Sequence, residues 1–385
     1  MRVGIIGGSI AGCVTAALLH RAGHDVIVFE RSESDFVSRG AGIVTPTAAW
    51  HDMMVHGLID AALPACQADY FRFVTRGSGT GQQRWLGDVQ MSFRLLNWAH
   101  LYQCLRRCVP GDLYRRASTV ELAEVRPQGT TLHLRQGGSL DFDLVVCADG
   151  YRSMGRRLID PDATPRYRGM VLWRGLLHES DIRVDALGGC NGRRVVYRGG
   201  HGVVYYIPGS GRSTEPGKRL LMWGYAAAVQ LGSVREGASG GQGGLRVPPR
   251  GPVAPLLFEL VQRCGNSSIQ AICSVAARSY AHDRVCLVGD AGAVFPPFTG
   301  SGVLRAVANA TSLVDALADA PTIDDGLRRW GEAQAQVAAQ VMAVAERIER
   351  SAVFDMPDLA TMPTAAANDW MSAAHPGLVV TLPGV

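Results

Sequence analysis

The chain has 385 residues, 47% of them hydrophobic and 19% charged, with a formal net charge of +4, a make-up ordinary for a globular chain of one large or two medium domains. So small a charge gives no support for a nucleic-acid or anionic-membrane partner, and no apolar run reaches the ~20 residues that a transmembrane segment needs. The nine cysteines are scattered without a CxxC pair, and Cys104 with Cys108 falls short of the four ligands of structural zinc, so a cytoplasmic protein with reduced thiols is expected.

Arg2 to Ile6 is short, apolar and β-branched and stops at glycine, which predicts a buried strand rather than a secretory signal. Ala11 to Arg21 predicts a helix closed at Gly23, and Val26 to Glu30 a second strand, together a βαβ unit of an α/β layer. Leu101 to Cys108 reads as helix; Thr131–Leu134 and Leu140–Ala148 read as strands. From Arg166 to Ala228, apolar runs at Arg194–Tyr197, Gly202–Ile207 and Leu220–Ala226 are separated by glycine, serine and proline turns, which predicts an inserted antiparallel sheet. Gly232–Pro252 reads as an exposed loop. Arg284–Val288 returns to the buried-strand pattern, Gly302–Leu317 and Leu327–Arg350 read as helices, and the tail after Pro357 lacks periodicity.

Three motifs carry chemistry. Gly7-Gly8-Ser9-Ile10-Ala11-Gly12 joins the first strand to the first helix, whose N-terminal N–H groups would face a pyrophosphate. Ser9 replaces the usual middle glycine, and Glu30 ends the second strand where a carboxylate can accept from ribose hydroxyls. Asp149-Gly150 lies at the end of a second buried strand. Gly289-Asp290 ends a third, followed by Pro296-Pro297-Phe298-Thr299-Gly300-Ser301-Gly302 and a helix start.

In order and spacing these motifs resemble the group A flavin-dependent aromatic hydroxylases, the para-hydroxybenzoate hydroxylase fold. The likeness extends to Arg39-Gly40-Ala41-Gly42-Ile43 and Trp173-Arg174-Gly175, and Trp223-Gly224-Tyr225 is similar to a strand of dihydroxypyridine hydroxylase-like members. It implies a Rossmann-like FAD-binding domain (1–69, 95–165 and 275–385), an inserted antiparallel β-sheet substrate domain (70–94 and 166–274) and C-terminal helices. The implied FAD contacts are Gly7, Ser9, Ile10, Ala11 and Gly12 at the first turn; Glu30 and Arg31 on the ribose side; Arg39 on the pyrophosphate; and Gln103, Asp149 and Asp290. Pro297, Gly300, Gly302 and Val303 would face the isoalloxazine. Trp98 stands where the family often has arginine, and Ala293 where it often has histidine.

The same resemblance implies an oxidoreductase in which NADH or NADPH reduces FAD, oxygen adds at flavin C4a, and the hydroperoxide hydroxylates an aromatic or polyketide-like small molecule. No dedicated NAD(P)H domain is expected, no metal, and a monomer or homodimer. On strand alternation Tyr206 or Tyr205 must face the substrate, and Trp223 and Tyr225 share a face; Tyr206, Trp223 and Tyr225, with Thr45 and Pro296, are the expected substrate residues. His178 and His201 are candidate bases, neither assigned. A halogenase or reductase of the same superfamily, although the WxWxIP signature is absent, and a non-catalytic FAD-binding protein are the alternatives.

Overall fold

Short apolar segments that end at glycine become central strands, because a parallel sheet is covered on both faces and needs no polar side. The computed structural model describes residues 1–36, 41–77, 83–182, 187–229, 255–264 and 267–374. Arg2–Ile6 (β1) leads into Ile10–Arg21 (α1), and Asp25–Phe29 (β2) returns parallel to β1. Val3, Ile5, Val26 and Val28 are fully buried between them. Gly42–Pro46 (β3) and Thr47–Val55 (α2) precede a long hairpin of Cys66–Arg76 (β4) and Gln83–Asn97 (β5), then Trp98–Arg107 (α3). Asn97 fixes the start of α3 by accepting the Ala99 N–H at 3.0 Å, as N-cap asparagines do.

Tyr114–Arg115 (β6) adds to β2. Val120–Arg126 (β7), Gly129–Leu134 (β8) and Ser139–Phe142 (β9) make a small antiparallel sheet, and Leu144–Cys147 (β10) joins the parallel sheet beside β1. The single strand expected from Leu140 to Ala148 is therefore two strands in two sheets. The break falls at Asp143, whose carboxylate accepts the Arg2 N–H at 2.7 Å. Met154–Ile159 (α4) follows.

The second half supplies the larger sheet. Arg166–His178 (β11), Gly192–Tyr197 (β12), Gly200–Ile207 (β13) and Leu220–Ala228 (β14) are followed by Pro255–Arg263 (α5) and Ser268–Ala276 (β15). The chain then returns through Ala281–His282 (β16), Val285–Leu287 (β17) and Ala293–Val294 (β18) to Gly302–Asp319 (α6), Ile323–Glu349 (α7) and Thr364–Ala374 (α8). The last helix corrects the expectation of an irregular tail. Its segment buries Ala367 and Met371 against the larger sheet's core, a tertiary stabilisation that weak periodicity does not announce. Gly232–Pro252 lies outside the described residues.

The parallel sheet has the order β16-β17-β10-β1-β2-β6 and the larger one β18-β15-β11-β14-β13-β12-β4-β5-β3. Pairing in the larger sheet is antiparallel, apart from β12 beside β4. The two sheets have separate hydrophobic cores. Arg168 of β11 bonds to the buried Glu349 of α7, Nε to Oε2 at 3.0 Å, and ties the larger sheet to the C-terminal helices. Among the described residues, no helix is long and apolar enough to cross a membrane.

Candidate active site

The first turn is set by two glycines. Gly7 has φ of +101°, and a Cβ on Gly12 would lie 1.9 Å from the Gly7 carbonyl oxygen, so neither position accepts a side chain. The first main-chain bond of α1 runs from Cys13 N–H to the Ser9 carbonyl at 2.8 Å. The N–H groups of Ile10, Ala11 and Gly12 therefore have no acceptor within the helix. Glu30 is buried just after β2; one carboxylate oxygen accepts the Gly8 N–H at 2.8 Å and the other the Ser32 N–H at 2.7 Å. Its negative charge is thus held beside the turn.

A cavity of about 500 Å³ runs from this turn to the larger sheet, bordered at one end by Ser9, Ile10 and Ala11. Ala148 and Gly150, at the end of β10, and Gly289 and Asp290, after β17, line the same wall. A second helix start meets them there. Arg305 N–H bonds to the Ser301 carbonyl at 2.8 Å, which leaves the N–H groups at Gly302, Val303 and Leu304 without helical acceptors. A Cβ added at Gly150 or Gly302 would meet nothing within 4 Å, so both glycines open onto empty space. The Asp290 carboxyl opens on the cavity; the surrounding walls raise its pKa by desolvation, and Arg156 offsets part of the rise.

Arg156 connects the two loops. Its buried guanidinium donates to the main-chain carbonyls of Asp290 at 3.0 Å, Ala291 at 2.9 Å and Ala163 at 3.2 Å, and to that of Tyr151. Asp149 turns inward: Oδ2 accepts the Met154 N–H at 2.6 Å at the start of α4, while Oδ1 is buried with no partner among the described residues.

The larger sheet forms the opposite wall, and its register lays the lining out in rows. One row reads Arg174, Gly224, Val203, Arg194 across β11, β14, β13 and β12. The next on one side is Leu172, Ala226, His201, and on the other side Met222 pairs with Tyr205. All of these residues line the cavity. His201 meets the Phe298 ring edge-to-face at 5.2 Å. Trp98 also borders the cavity and stacks on Tyr102, with ring centroids 5.2 Å apart.

Of the residues named from the sequence, Ser9, Ile10, Ala11, Asp290, Pro297, Gly300, Gly302 and Val303 come together on the cavity wall. Gly7 and Gly12 shape the turn beneath it. Gln103 instead borders a smaller cleft of about 350 Å³ with Asp35, Tyr102, Arg106, Arg107 and Arg116; Arg31 is exposed, and Arg39 lies outside the described residues.

The substrate residues need correction. Trp223 and Tyr225 are buried on the far face of the sheet, where Tyr225 stacks on Tyr197 at 5.2 Å. Tyr205, not Tyr206, faces the cavity; Tyr206 lies under the Arg219 guanidinium at 3.9 Å. Thr45 and Pro296 are buried beside lining residues rather than being lining residues themselves. His178 is exposed at the end of β11, and Ala293 is buried in its pairing with Ala276. The sequence reading misses Arg156 and Arg194; it leaves Tyr205 and Tyr206 as alternatives and takes Tyr206 as the expected substrate residue. Arg194 had a visible signal, an arginine followed by Val195-Val196-Tyr197 in a strand buried throughout, because a charge in such a strand needs a partner or a ligand.

The residues present fit FAD. Two helix N-termini and a held carboxylate suit a diphosphate and ribose, and the glycine-bordered space between the loops and the sheet suits a flat ring system.

Comparison with known proteins points the same way. Residues 5–35 match the model of the NAD(P)-binding Rossmann-like domain, 167–273 that described as FAD binding domain-like, and 260–345 that of the FAD binding domain. The chain is 30% identical to 3-amino-4-hydroxybenzoate 2-monooxygenase of Streptomyces cremeus, over 93% of this chain and 89% of that protein. It is 24% identical to 2,6-dihydroxypyridine 3-monooxygenase of Paenarthrobacter nicotinovorans, over 92% and 93% respectively. The structure of 2,6-dihydroxypyridine-3-hydroxylase from Arthrobacter nicotinovorans superposes with a TM-score of 0.80 at 21% identity, covering 94% of this chain and 95% of that one.

Proposed function

The chain belongs to the group A FAD-dependent aromatic monooxygenases, and from that premise we propose how its own residues divide the work. The net reaction consumes NAD(P)H, a proton and O2, places one oxygen atom on an electron-rich aromatic carbon and releases the other as water. Bound FAD supplies the redox chemistry, accepting hydride and activating oxygen. The protein binds, orients and excludes water.

In this reading the N–H groups of Ile10, Ala11 and Gly12 hold the diphosphate, with the α1 dipole favouring its charge. Glu30 accepts from the adenosine ribose while its bonds to Gly8 and Ser32 keep it in place. Asp290 accepts from the ribityl hydroxyls. Its raised pKa falls back once those donors arrive, because a hydrogen bond to the charged form favours it. Pro297 and Gly300 bound the ring, and the N–H groups of Gly302 and Val303 stabilise negative charge on it. The substrate lies against the rows of the larger sheet, where Leu172, Val203, Met222 and Ala226 keep water away from the reacting carbon.

The observation that carries this reading is the meeting of the three sequence-distant loops, at Ser9–Ala11, Gly150 and Asp290, on one cavity roofed by the larger sheet. Consumption of NAD(P)H supports a cytoplasmic setting, where that co-substrate is supplied.

Stopped-flow spectroscopy tests the reading. Purified protein is mixed anaerobically with NADH or NADPH in the presence of hydroxylated aromatic acids and phenols, and then with oxygen. Bleaching of the flavin absorbance, followed by reoxidation with a hydroxylated product, is the expected result. A protein that takes up no FAD, or whose flavin is never reduced with any ligand, overturns it.

A further inference from the structure

Buried polar side chains of α6 and α7 meet behind the Gly289-Asp290 turn. Arg305, Asn309 and Gln334 are 4%, 1% and 7% exposed. Gln334 Oε1 accepts from Arg305 Nη2 and from Asn309 Nδ2, both at 2.7 Å, and Asn309 Oδ1 accepts the Gly289 N–H at 3.0 Å. Gln334 Nε2 donates at 3.2 Å to Ser312 Oγ, which also accepts from Trp330 Nε1 at 3.0 Å. A guanidinium can only donate, so Arg305 sets the direction of the whole chain of bonds. It holds the Gln334 oxygen toward itself, which takes the Asn309 amide nitrogen and leaves the Asn309 oxygen for Gly289.

The network lacks an anion. Arg168 also reaches α7 and meets Glu349 there, whereas no carboxylate pairs with Arg305 among the described residues. The group that feels its charge is Tyr280, a buried phenol whose pKa burial pushes up, so it is neutral at neutral pH. Burial lowers the Arg305 pKa, but an arginine stays protonated inside a protein. A buried, unpaired charge is costly, and a neutral amide would serve the bond to Gln334 as well. The charge itself therefore needs a use.

It stands where a reaction changes charge. Gly302, Val303 and Ala306 of α6 line the cavity, with Asp290 on the same wall. Arg305 lies among them in sequence but points to α7, within one helix diameter of the cavity, about 10 Å. When NAD(P)H passes two electrons and one proton to bound FAD and leaves as NAD(P)+, the neutral flavin ring gains one negative charge. At that range, through protein, a fixed cation shifts such an equilibrium by about tenfold.

We propose that Arg305 is a potential-setting residue: its buried guanidinium, held by Gln334 and free of any carboxylate partner, raises the reduction potential of bound FAD from outside the cavity wall. The proposal rests on the monooxygenase reading and gives its reduction step a determinant on the α6–α7 interface.

Reductive titration of the FAD-loaded protein against a reference dye, with xanthine and xanthine oxidase as the electron source, reads the midpoint potential. Arg305→Gln keeps an amide donor and removes the charge; it should lower the potential by about 30 mV, tenfold in the two-electron equilibrium constant. Arg305→Lys keeps the charge and should stay within about 10 mV of wild type. Gln334→Glu keeps the shared oxygen and sets a carboxylate against the cation, so it should lower the potential by about 30 mV as well. Should Arg305→Gln not fold, Gln334→Glu decides.

A folded Arg305→Gln or Gln334→Glu protein within about 10 mV of wild type overturns the proposal. An Arg305→Lys shift as large as that of Arg305→Gln also overturns it, because the effect would then be one of packing. FAD content and anaerobic bleaching by NAD(P)H, measured on the same preparations, report separately on the monooxygenase reading. A protein that holds FAD and is bleached, yet whose potential ignores these substitutions, loses the role of Arg305 alone.

Discussion

Replacing Arg156 by methionine removes a side chain that joins the Asp149-Gly150 and Gly289-Asp290 loops. Methionine keeps the length and most of the packing of the stem, so the change isolates the guanidinium. Four main-chain carbonyls, at Tyr151, Ala163, Asp290 and Ala291, lose its donors. A buried acceptor left unsatisfied costs about 1–3 kcal/mol, so four set an upper bound of roughly 4–12 kcal/mol; only the Ala291 bond is fully buried and the other three are half-buried. The desolvation that lowers the Arg156 pKa is regained when the charge goes, and water entering from the cavity side re-satisfies part of the rest, so a net loss of about 3–5 kcal/mol is expected. For a domain with about 5–15 kcal/mol of net stability, that is a large fraction. Two measurements follow: urea unfolding by circular dichroism with FAD absent, and flavin retained after gel filtration. The variant should lose about 3–5 kcal/mol in the first and most of its flavin in the second, because Asp290 and Ala291 lose their anchor. An Arg156→Met protein within about 1 kcal/mol of wild type that keeps its flavin would refute the strut argument.

Asp290 gives a prediction with two signs. Its carboxyl is raised by burial, so in the flavin-free protein its charge costs stability above that raised value and nothing below the ordinary carboxylate range. Because Asp290 itself keeps solvent contact, the charge is partly screened, and Asp290→Asn should raise the flavin-free melting temperature at pH 7 by only about 1 °C, with the gap closing near pH 4, while FAD affinity falls about tenfold; a lower melting temperature at pH 7 would contradict it. Asp160 behaves in the opposite sense. Its carboxyl is held below the usual range by the Arg278 side chain and main-chain N–H, so its stabilisation is present above the ordinary carboxylate range and lost as pH falls through the lowered value. Wild type should melt above Asp160→Asn by about 2–4 °C at pH 7 and converge with it in acid. The row geometry makes the fourth prediction. A Cβ on Gly224 would meet its nearest neighbour at an ordinary 3.5 Å, so Gly224→Leu should fold, keep FAD and weaken aromatic ligands about tenfold or more by filling the cavity. Tyr225→Phe, on the far face, should leave ligand affinity unchanged by calorimetry; the reverse order would invert the assigned faces.

The sequence by itself determined the cofactor and the parallel layer. The turn at Gly7 to Gly12, the acid at Glu30 and the acid–glycine pairs after two further strands are local features, because backbone geometry at a strand end and a helix start is written in adjacent residues. Which side of the larger sheet faces the substrate was not written there. A sheet covered on one face alternates apolar and polar residues, but β12 and β14 are apolar or buried at nearly every position, so no alternation marks the inner face, and a one-residue slip exchanges every side chain between faces. Only the tertiary register resolved it, turning Trp223, Tyr225 and Tyr206 away and bringing Tyr205, Arg174 and Arg194 in. Arg156 was hidden for a related reason: its acceptors lie up to 135 residues from it in sequence, and such a bond exists only once the two loops have been folded onto one cavity.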